Sequence, residues 1–180
     1  ERFEKFTAER WPGLERIHGL HPDPAGGLWI ATEGAGVFYF KDGRFRQWTA
    51  ADGLPDMLLR AVVADEAGNL WFSSNKGIFG CAPEALHQYQ RGKSPPVLFW
   101  RLSARDGLPG KLASGAGQPV AARSDDGRLW FPNYRALAGF DPAVVRQTGR
   151  SLPPIIEDLR ADGVSCLPDA EGNLRLRSGV

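Results

Sequence analysis

One pattern occurs twice in this sequence, as Asp23-Pro-Ala-Gly26-Gly-Leu28-Trp29-Ile30 and as Asp65-Glu-Ala-Gly68-Asn-Leu70-Trp71-Phe72, with a spacing of 42 residues. A third version, Ser124-Asp-Asp-Gly127-Arg-Leu129-Trp130-Phe131, follows 59 residues after the second. Recurrence at a fixed period of this length is the signature of a repeat architecture, in which each unit is one small group of strands or helices. The chain is therefore organised by an internal repeat.

The spacing of 59 residues before the third copy, longer than the first spacing of 42, indicates an insertion in the second unit. The turn Asp52-Gly-Leu-Pro55 returns as Asp106-Gly-Leu-Pro109, 54 residues later, so most of the additional residues lie between Gly77 and Asp106. Within this insertion, residues 83–90 suggest a helical turn.

The residues within one unit predict four antiparallel strands. Short runs rich in β-branched and aromatic residues alternate with turn formers. In Asp-x-x-Gly, the Asp can accept hydrogen bonds from nearby backbone amides and the Gly accepts a positive φ, which suits a tight turn. The predicted strands of the second unit are residues 60–64, 70–74, 77–81 and 98–102.

Four strands at a period near 42 residues predict an all-β fold of β-propeller blades. This chain holds about three such units, whereas a closed propeller has about four to eight blades. We therefore expect a partial propeller. Since the chain begins at Glu1 without an initiator Met, we also expect it to be a section of a longer protein.

The repeats resemble the two-component-regulator propeller repeat, whose pattern is D-x-x-G-x-L-W-I-G-T-x-x-G-L. Residues 23–37 read D-P-A-G-G-L-W-I-A-T-E-G-A-G-V, with Ala31 in place of a glycine and one additional residue before Val37. The third copy departs further, because residues 132–136 replace the I-G-T stretch. The resemblance implies the periplasmic sensor region of an inner-membrane receptor whose output is a histidine kinase or a diguanylate cyclase.

The repeat stops after Pro142, and we place a domain boundary between residues 147 and 148. Residues 1–147 are predicted to be propeller blades. The resemblance implies that residues 148–180 are a linker and the first strands of an immunoglobulin-like β-sandwich. A fourth blade is the alternative, because Asp169-Ala-Glu-Gly172-Asn-Leu174 repeats the motif without its Trp.

Composition disfavours several classes of function. The 180 residues include 22 Lys+Arg and 21 Asp+Glu, a formal net charge of +1, so nothing favours binding to nucleic acid or anionic lipid. The apolar runs are much shorter than the roughly 20 residues of a transmembrane helix. Cys81 and Cys166 lack the clustered partners of a zinc site, so we predict buried or incidental thiols, with a disulfide as the less favoured alternative. No metal or cofactor is predicted.

The repeated tryptophans, Trp29, Trp71 and Trp130, occupy the same position in each unit. Stacking on sugar rings is one interpretation. Side chains at the same phase of every blade, however, most simply fill the space between adjacent sheets. We therefore predict that the three rings are packing residues.

Binding residues should instead break the repeat, and the turns after the Trp strands do so. These turns lie at equivalent places but differ in chemistry, and their carboxylate, amide, cationic and aromatic groups suit a polar ligand. Solvated turns are the competing interpretation. The candidate ligand-binding residues are Glu33, Asn75, Lys76, Asn133, Tyr134 and Arg135.

The predicted function is ligand sensing, and the resemblance implies a small-molecule or glycan ligand. Expected partners are the remaining blades and the immunoglobulin-like domain of the parent chain, and a second copy in a homodimer or larger assembly. An enzyme, such as a propeller lyase or glycosidase, is the second hypothesis. No Ser-His-Asp, phosphate-loop or H-E-x-x-H motif supports it, and His18, His21 and His87 are predicted to be incidental surface residues. A structural dimerisation scaffold is the third hypothesis.

Overall fold

Strands of residues 17–140 form three antiparallel sheets that follow one another along the chain. The structure is a computed structural model, and it describes residues 5–7, 9–103, 106–108, 120–132 and 136–148 and the backbone of residues 160–161 and 164–165. By contacts between residues, the chain divides into two units, Glu1–Gln147 and Thr148–Val180.

The first two sheets each have four strands in chain order. The first contains β1 (Ile17–Asp23), β2 (Gly27–Thr32), β3 (Val37–Lys41) and β4 (Arg44–Trp48). The second contains β5 (Leu59–Ala64), β6 (Leu70–Ser74), β7 (Gly77–Cys81) and β8 (Trp100–Leu102). The predicted four-stranded antiparallel unit is thus confirmed.

The third sheet has three strands within the described residues, with β10 in the centre. They are β9 (Ala122–Arg123), β10 (Leu129–Pro132) and β11 (Leu137–Phe140). The described residues also form three short helices: a 3₁₀ turn at Ala50–Asp52, α1 (Pro83–Gln88) and α2 (Pro142–Thr148).

The Asp-x-x-Gly turns of the first two units and the Ser-x-x-Gly turn of the third have the predicted geometry. Gly26, Gly68 and Gly127 have φ values of 87°, 82° and 83°. Their backbone N–H groups donate to the carbonyl oxygens of Asp23, Asp65 and Ser124 at 2.8, 3.0 and 2.9 Å. Glycine is favoured at this position because other residues rarely adopt a positive φ.

Two apolar clusters join the sheets face to face. One contains Trp29 and Trp48 of the first sheet with Phe72 of the second, and the other contains Trp71 of the second with Phe131 of the third. Each sheet therefore packs on the next as a propeller blade does, in an arrangement that is not closed. We refer to the three sheets as blades 1, 2 and 3.

The positions of the tryptophans agree with the packing prediction in the first two blades. Trp29 and Trp71 are 1% and 0% exposed, and each lies in the cluster shared with the following blade. Trp130 is only half-buried. Trp130 differs from Trp29 and Trp71 in its exposure because it lies on the face of blade 3 that points away from blade 2, on the side where a following blade would lie.

The insertion in blade 2 packs against blade 1. The Trp48 indole N–H donates to the Leu86 carbonyl oxygen of α1 at 3.1 Å. The Val97 N–H donates to the Asp52 carbonyl oxygen at 3.2 Å, which holds this part of the chain away from β7. The strand predicted for residues 98–102 consequently begins at Trp100.

The opposite face of blade 1 is contacted by the first residues of the chain. Phe6 packs against Phe40 and Phe45 with ring centroids 4.9 and 5.6 Å apart. Trp11 lies 5.0 Å from Phe45. Both faces of blade 1 are therefore in apolar contact.

The second unit contributes one described pair of antiparallel strands, β12 (Arg160–Ala161) and β13 (Val164–Ser165). The other residues of 148–180 lie outside the described part of the chain, apart from the backbone of Thr148. The sandwich and the fourth blade both stay predictions for this segment.

Two sequence-level expectations concern single residues or short elements. Cys81 is a buried free thiol, whereas Cys166 lies outside the described residues. Burial raises the pKa of the Cys81 thiol well above its ordinary value. In the described part of the chain, no helix is both long and apolar enough to cross a bilayer.

Candidate functional site

The sequence-predicted residue Glu33 lies in an interblade cluster of charges. Its Oε2 is 3.0 Å from His18 Nε2 and its Oε1 is 3.1 Å from Arg60 Nη2, while Arg16 Nη1 is 3.9 Å from Oε2. The hydrogen bond with His18, assisted by the two arginines, holds the pKa of Glu33 below its ordinary value. The carboxylate is therefore committed to protein partners.

The two main partners of Glu33 occupy the same position of the repeat. His18 on β1 and Arg60 on β5 are 42 residues apart in sequence, and the structure places both on one carboxylate. Because they belong to adjacent blades, the cluster connects blade 1 to blade 2.

The other described candidates lie in the equivalent turn of blade 2. Asn75 and Lys76 are exposed. Lys76 Nζ donates to the Pro55 carbonyl oxygen at 3.3 Å, and its backbone N–H donates to Ser74 Oγ at 3.1 Å. Asn133, Tyr134 and Arg135 lie outside the described residues. All six remain predictions as ligand-binding residues.

A cavity of about 370 Å³ lies at the other turns of the blades, beside the Asp-x-x-Gly loops. Blades 1, 2 and 3 and the start of α1 all contribute to its wall. Its apolar part includes Trp29 and Leu70. Its polar side chains include His21, Asp23, Glu66 and Arg123. A concave apolar site with a few convergent polar groups is the usual form of a small-molecule site.

The repeat is broken at this cavity. In blade 2 the Trp71 indole N–H donates to Asp65 Oδ2 at 3.0 Å, and in blade 3 the Trp130 indole N–H donates to Ser124 Oγ at 2.8 Å. In blade 1 the corresponding Asp23 Oδ2 instead accepts a hydrogen bond from the Tyr39 hydroxyl at 2.8 Å.

The difference in hydrogen bonding between blade 1 and the later blades is caused by the residue that pairs with each Trp on the neighbouring strand. Trp71 and Trp130 pair with Gly80 and Gly139, and a Cβ on either glycine would come within 2.7 and 2.4 Å of the indole ring. Trp29 pairs with Tyr39. The tyrosine ring therefore occupies the space that the Trp ring fills in the later blades, and their centroids are 4.4 Å apart.

Electrostatics give the cavity residues different roles. Burial, with a contribution from the nearby Arg123, lowers the pKa of His21, so its imidazole is neutral at neutral pH. A neutral imidazole offers one donor and one acceptor. Although burial opposes it, hydrogen bonds from the Ala25 N–H and the Tyr39 hydroxyl hold the pKa of Asp23 below its ordinary value. Burial and this same Asp23 contact raise the pKa of Tyr39 to about 12.

The histidine interpretation needs correction. His18 is hydrogen-bonded to Glu33, His21 lines the cavity, and the His87 ring lies 5.1 Å from Trp29. His18 and His21 are therefore not incidental surface residues, whereas His87 is exposed, as predicted, although its ring packs against Trp29. The sequence held a signal for His21, which stands where blade 2 has Val63; a polar residue at an apolar phase of the repeat marks a local difference.

Comparison with solved structures shows the fold. One is the extracellular domain of a hybrid two-component system from B. thetaiotaomicron, at 21% identity over 71% of this chain and 17% of that chain, with a TM-score of 0.50. A second such domain from B. thetaiotaomicron has 14% identity over 93% of this chain and 28% of that chain, with a TM-score of 0.49. Virginiamycin B lyase from Staphylococcus aureus has 14% identity over 70% of this chain and 41% of that chain, with a TM-score of 0.44.

The chain spans between about a sixth and two fifths of the length of these three proteins. It matches no protein-family model and no curated protein. The likeness to the first of these domains, with its TM-score of 0.50, supports the architecture of stacked four-stranded blades, and function is a separate inference.

Proposed function

We propose that this chain is part of a ligand-sensing, extracytoplasmic module of a bacterial signal-transduction receptor, with a periplasmic location. The observation that carries the proposal is the interblade cavity of about 370 Å³ at the point where blade 1 departs from the repeat. Repeated residues such as Asp23, Trp29 and Leu70 build part of the cavity wall, whereas His21, Glu66 and Arg123 are specific to one blade, and a concave site with such added polar groups is where a specific ligand is expected to bind.

The fold is consistent with this role. A neighbour with the same architecture is the extracellular domain of a two-component system. Propeller folds serve many functions, so the proposal depends on the cavity more than on the likeness. A small polar molecule, including a glycan fragment, fits the mixture of apolar and hydrogen-bonding groups on the cavity wall.

Chemistry at the cavity favours binding over catalysis. A glycosidase needs a carboxylic acid whose pKa is raised, so that it can donate a proton near neutral pH. The pKa of Asp23 moves in the opposite direction, and both of its oxygens already accept hydrogen bonds from protein groups. Asp65, also on the wall, is paired with Arg146 at 2.7 Å.

A thermal-shift screen of small molecules and glycan fragments on the whole chain tests the proposal. We expect at least one compound to raise the melting temperature without being chemically changed, and His21→Ala to abolish the effect. Asn75→Ala is the comparison variant, because Asn75 is a candidate binding residue predicted from sequence and lies in an exposed turn outside the cavity. Conversion of the compound would support an enzyme, and no stabilisation by any compound would support a scaffold. Loss of stabilisation in Asn75→Ala alone would place the site at the turns predicted from sequence.

A further inference from the structure

Two oppositely charged side chains line the cavity without a partner in the described part of the chain. Among the described residues, Arg123 on β9 and Glu66 in the β5–β6 turn form no hydrogen bond or ion pair within 4.0 Å, with each other or with any other group. Both are exposed and both border the cavity. Opposite charges that share a concave site without pairing leave complementary positions for a ligand.

The remaining acidic groups of the wall are not equivalent to Glu66. Asp65 is neutralised by Arg146 and also accepts from Trp71. Asp23 accepts one hydrogen bond on each oxygen, from Ala25 and Tyr39. A carboxylate oxygen can accept a further bond, so Asp23 retains both its negative charge and some acceptor capacity.

His21 adds hydrogen-bonding capacity and no second positive charge, because its imidazole is neutral. Among the described residues of the wall, the available charges are therefore one guanidinium, from Arg123, and two carboxylates, from Glu66 and Asp23. A simple anion would meet two like charges, and a simple cation would meet the guanidinium.

We infer that the cavity binds a small dipolar molecule that carries both a carboxylate and an ammonium group, of the size of an amino acid or a dipeptide. The ligand carboxylate pairs with Arg123, for which a guanidinium offers a bidentate geometry. The ammonium group pairs with Glu66 and Asp23. The ligand's carbon atoms lie against the apolar wall formed by residues such as Trp29 and Leu70. This inference rests on the proposed sensing function and specifies its ligand class.

The test uses the full chain and three kinds of probe. The first is a set of the twenty common L-amino acids and a dipeptide library. The second contains single-charge analogues of each hit, namely its methyl ester, which lacks the carboxylate, and its N-acetyl derivative, which lacks the ammonium group. The third contains galactose and galacturonate, a neutral and an acidic sugar. Isothermal titration calorimetry measures each affinity.

We expect a dipolar probe to bind, and both of its single-charge analogues to bind at least about tenfold more weakly, the effect of losing one charge-assisted hydrogen bond. Arg123→Gln should weaken the dipolar probe and leave the methyl ester unchanged. Glu66→Gln should likewise weaken the dipolar probe, and it should leave the affinity for the N-acetyl derivative unchanged. Arg128→Gln is the matched control, since this exposed arginine of blade 3 is paired with Asp126 and does not border the cavity.

Two results would overturn the inference, and they differ in what they say about sensing. If galactose or galacturonate binds in a His21-dependent manner while no dipolar probe does, the ligand class is wrong and the sensing proposal stands. If no probe binds and the broader thermal-shift screen also finds no ligand, both proposals fail.

Discussion

The carboxylate of Asp65 accepts a hydrogen bond from the indole N–H of Trp71 at 3.0 Å, six residues further along the chain. Both residues are buried, at 4% and 0% exposure. The Asp of the repeat motif therefore does more than shape a turn, because it also satisfies the one polar atom of the ring that fills the space between blades 2 and 3. This contact links the local motif to the packing of successive sheets.

Removal of the Trp71 ring should destabilise the chain strongly. Trp71→Ala is expected to lower the free energy of unfolding by about 3 to 5 kcal/mol, the usual cost of deleting a large buried aromatic side chain. Trp130→Ala is the comparison, and its half-buried ring should contribute less. Urea denaturation followed by tryptophan fluorescence and circular dichroism measures both. A loss near zero for Trp71→Ala, together with loss of ligand binding, would reassign the ring to a binding role.

Prediction from sequence succeeded where the residue pattern itself determines geometry. A Gly at the end of each Asp-x-x-Gly turn and alternating apolar runs constrain the backbone locally, so the four-stranded unit and its turns were predictable. The burial of Trp29 was predictable in the same way, because a Trp recurs at its position in each unit. In the structure Trp29 is 1% exposed.

The candidate site was less predictable because it depends on contacts between blades. From sequence, Glu33 was a candidate ligand-binding residue with a solvated turn as the competing interpretation, but in the structure His18 and Arg60 from two blades bind it. Asp23, on the cavity wall, accepts from Tyr39 instead of from an indole N–H as Asp65 does, and this difference is a consequence of packing across strands. No single stretch of sequence contains both partners of such a contact.

The Gly80 position should be intolerant of even one additional carbon atom. A Cβ there would lie 2.7 Å from the Trp71 ring and 2.8 Å from the Leu70 carbonyl oxygen. Gly80→Ala should therefore cost about 1 to 3 kcal/mol, as overpacking usually does. A double-mutant cycle with Trp71→Ala checks the cause, and we expect a coupling energy of at least about 0.5 kcal/mol. Additive effects would show that the ring is not what excludes the methyl group.

The ion pair between Arg91 of the insertion and Asp52 should stabilise the contact between blades 1 and 2. Arg91 Nε donates to Asp52 Oδ1 at 2.7 Å, and Asp52 is buried whereas Arg91 is mostly exposed. Arg91→Ala leaves a buried acceptor without its charged donor, so we expect a loss of about 1 to 3 kcal/mol. Arg128→Ala is the control, since both members of its pair are exposed and such pairs contribute about 0 to 1 kcal/mol. Equal effects in chemical denaturation would contradict the role assigned to Asp52.

The same pair predicts a specific dependence of stability on pH. Arg91, aided by hydrogen bonds from Thr49, holds the pKa of Asp52 well below its ordinary value although burial opposes this. Because the folded-state pKa is lowered, the contribution is complete above the unfolded-state pKa of about 3.9 and is lost as the pH falls below it. Between pH 5 and 2.5, the wild type should lose more stability than Asp52→Asn. Parallel curves would contradict the lowered pKa.

Light scattering coupled to size-exclusion chromatography tests most directly whether these sheets are blades of an incomplete ring. In a propeller, each blade covers an apolar face of its neighbour. The half-buried Trp130 and the 62% exposed Leu137 lie on blade 3, and exposed apolar surface of this kind favours association. We predict that the isolated 180-residue chain self-associates, with a measured mass above the 19.7 kDa of one copy. A compact 19.7 kDa monomer that unfolds cooperatively at micromolar concentration would contradict this prediction and the placement of these blades in a larger ring.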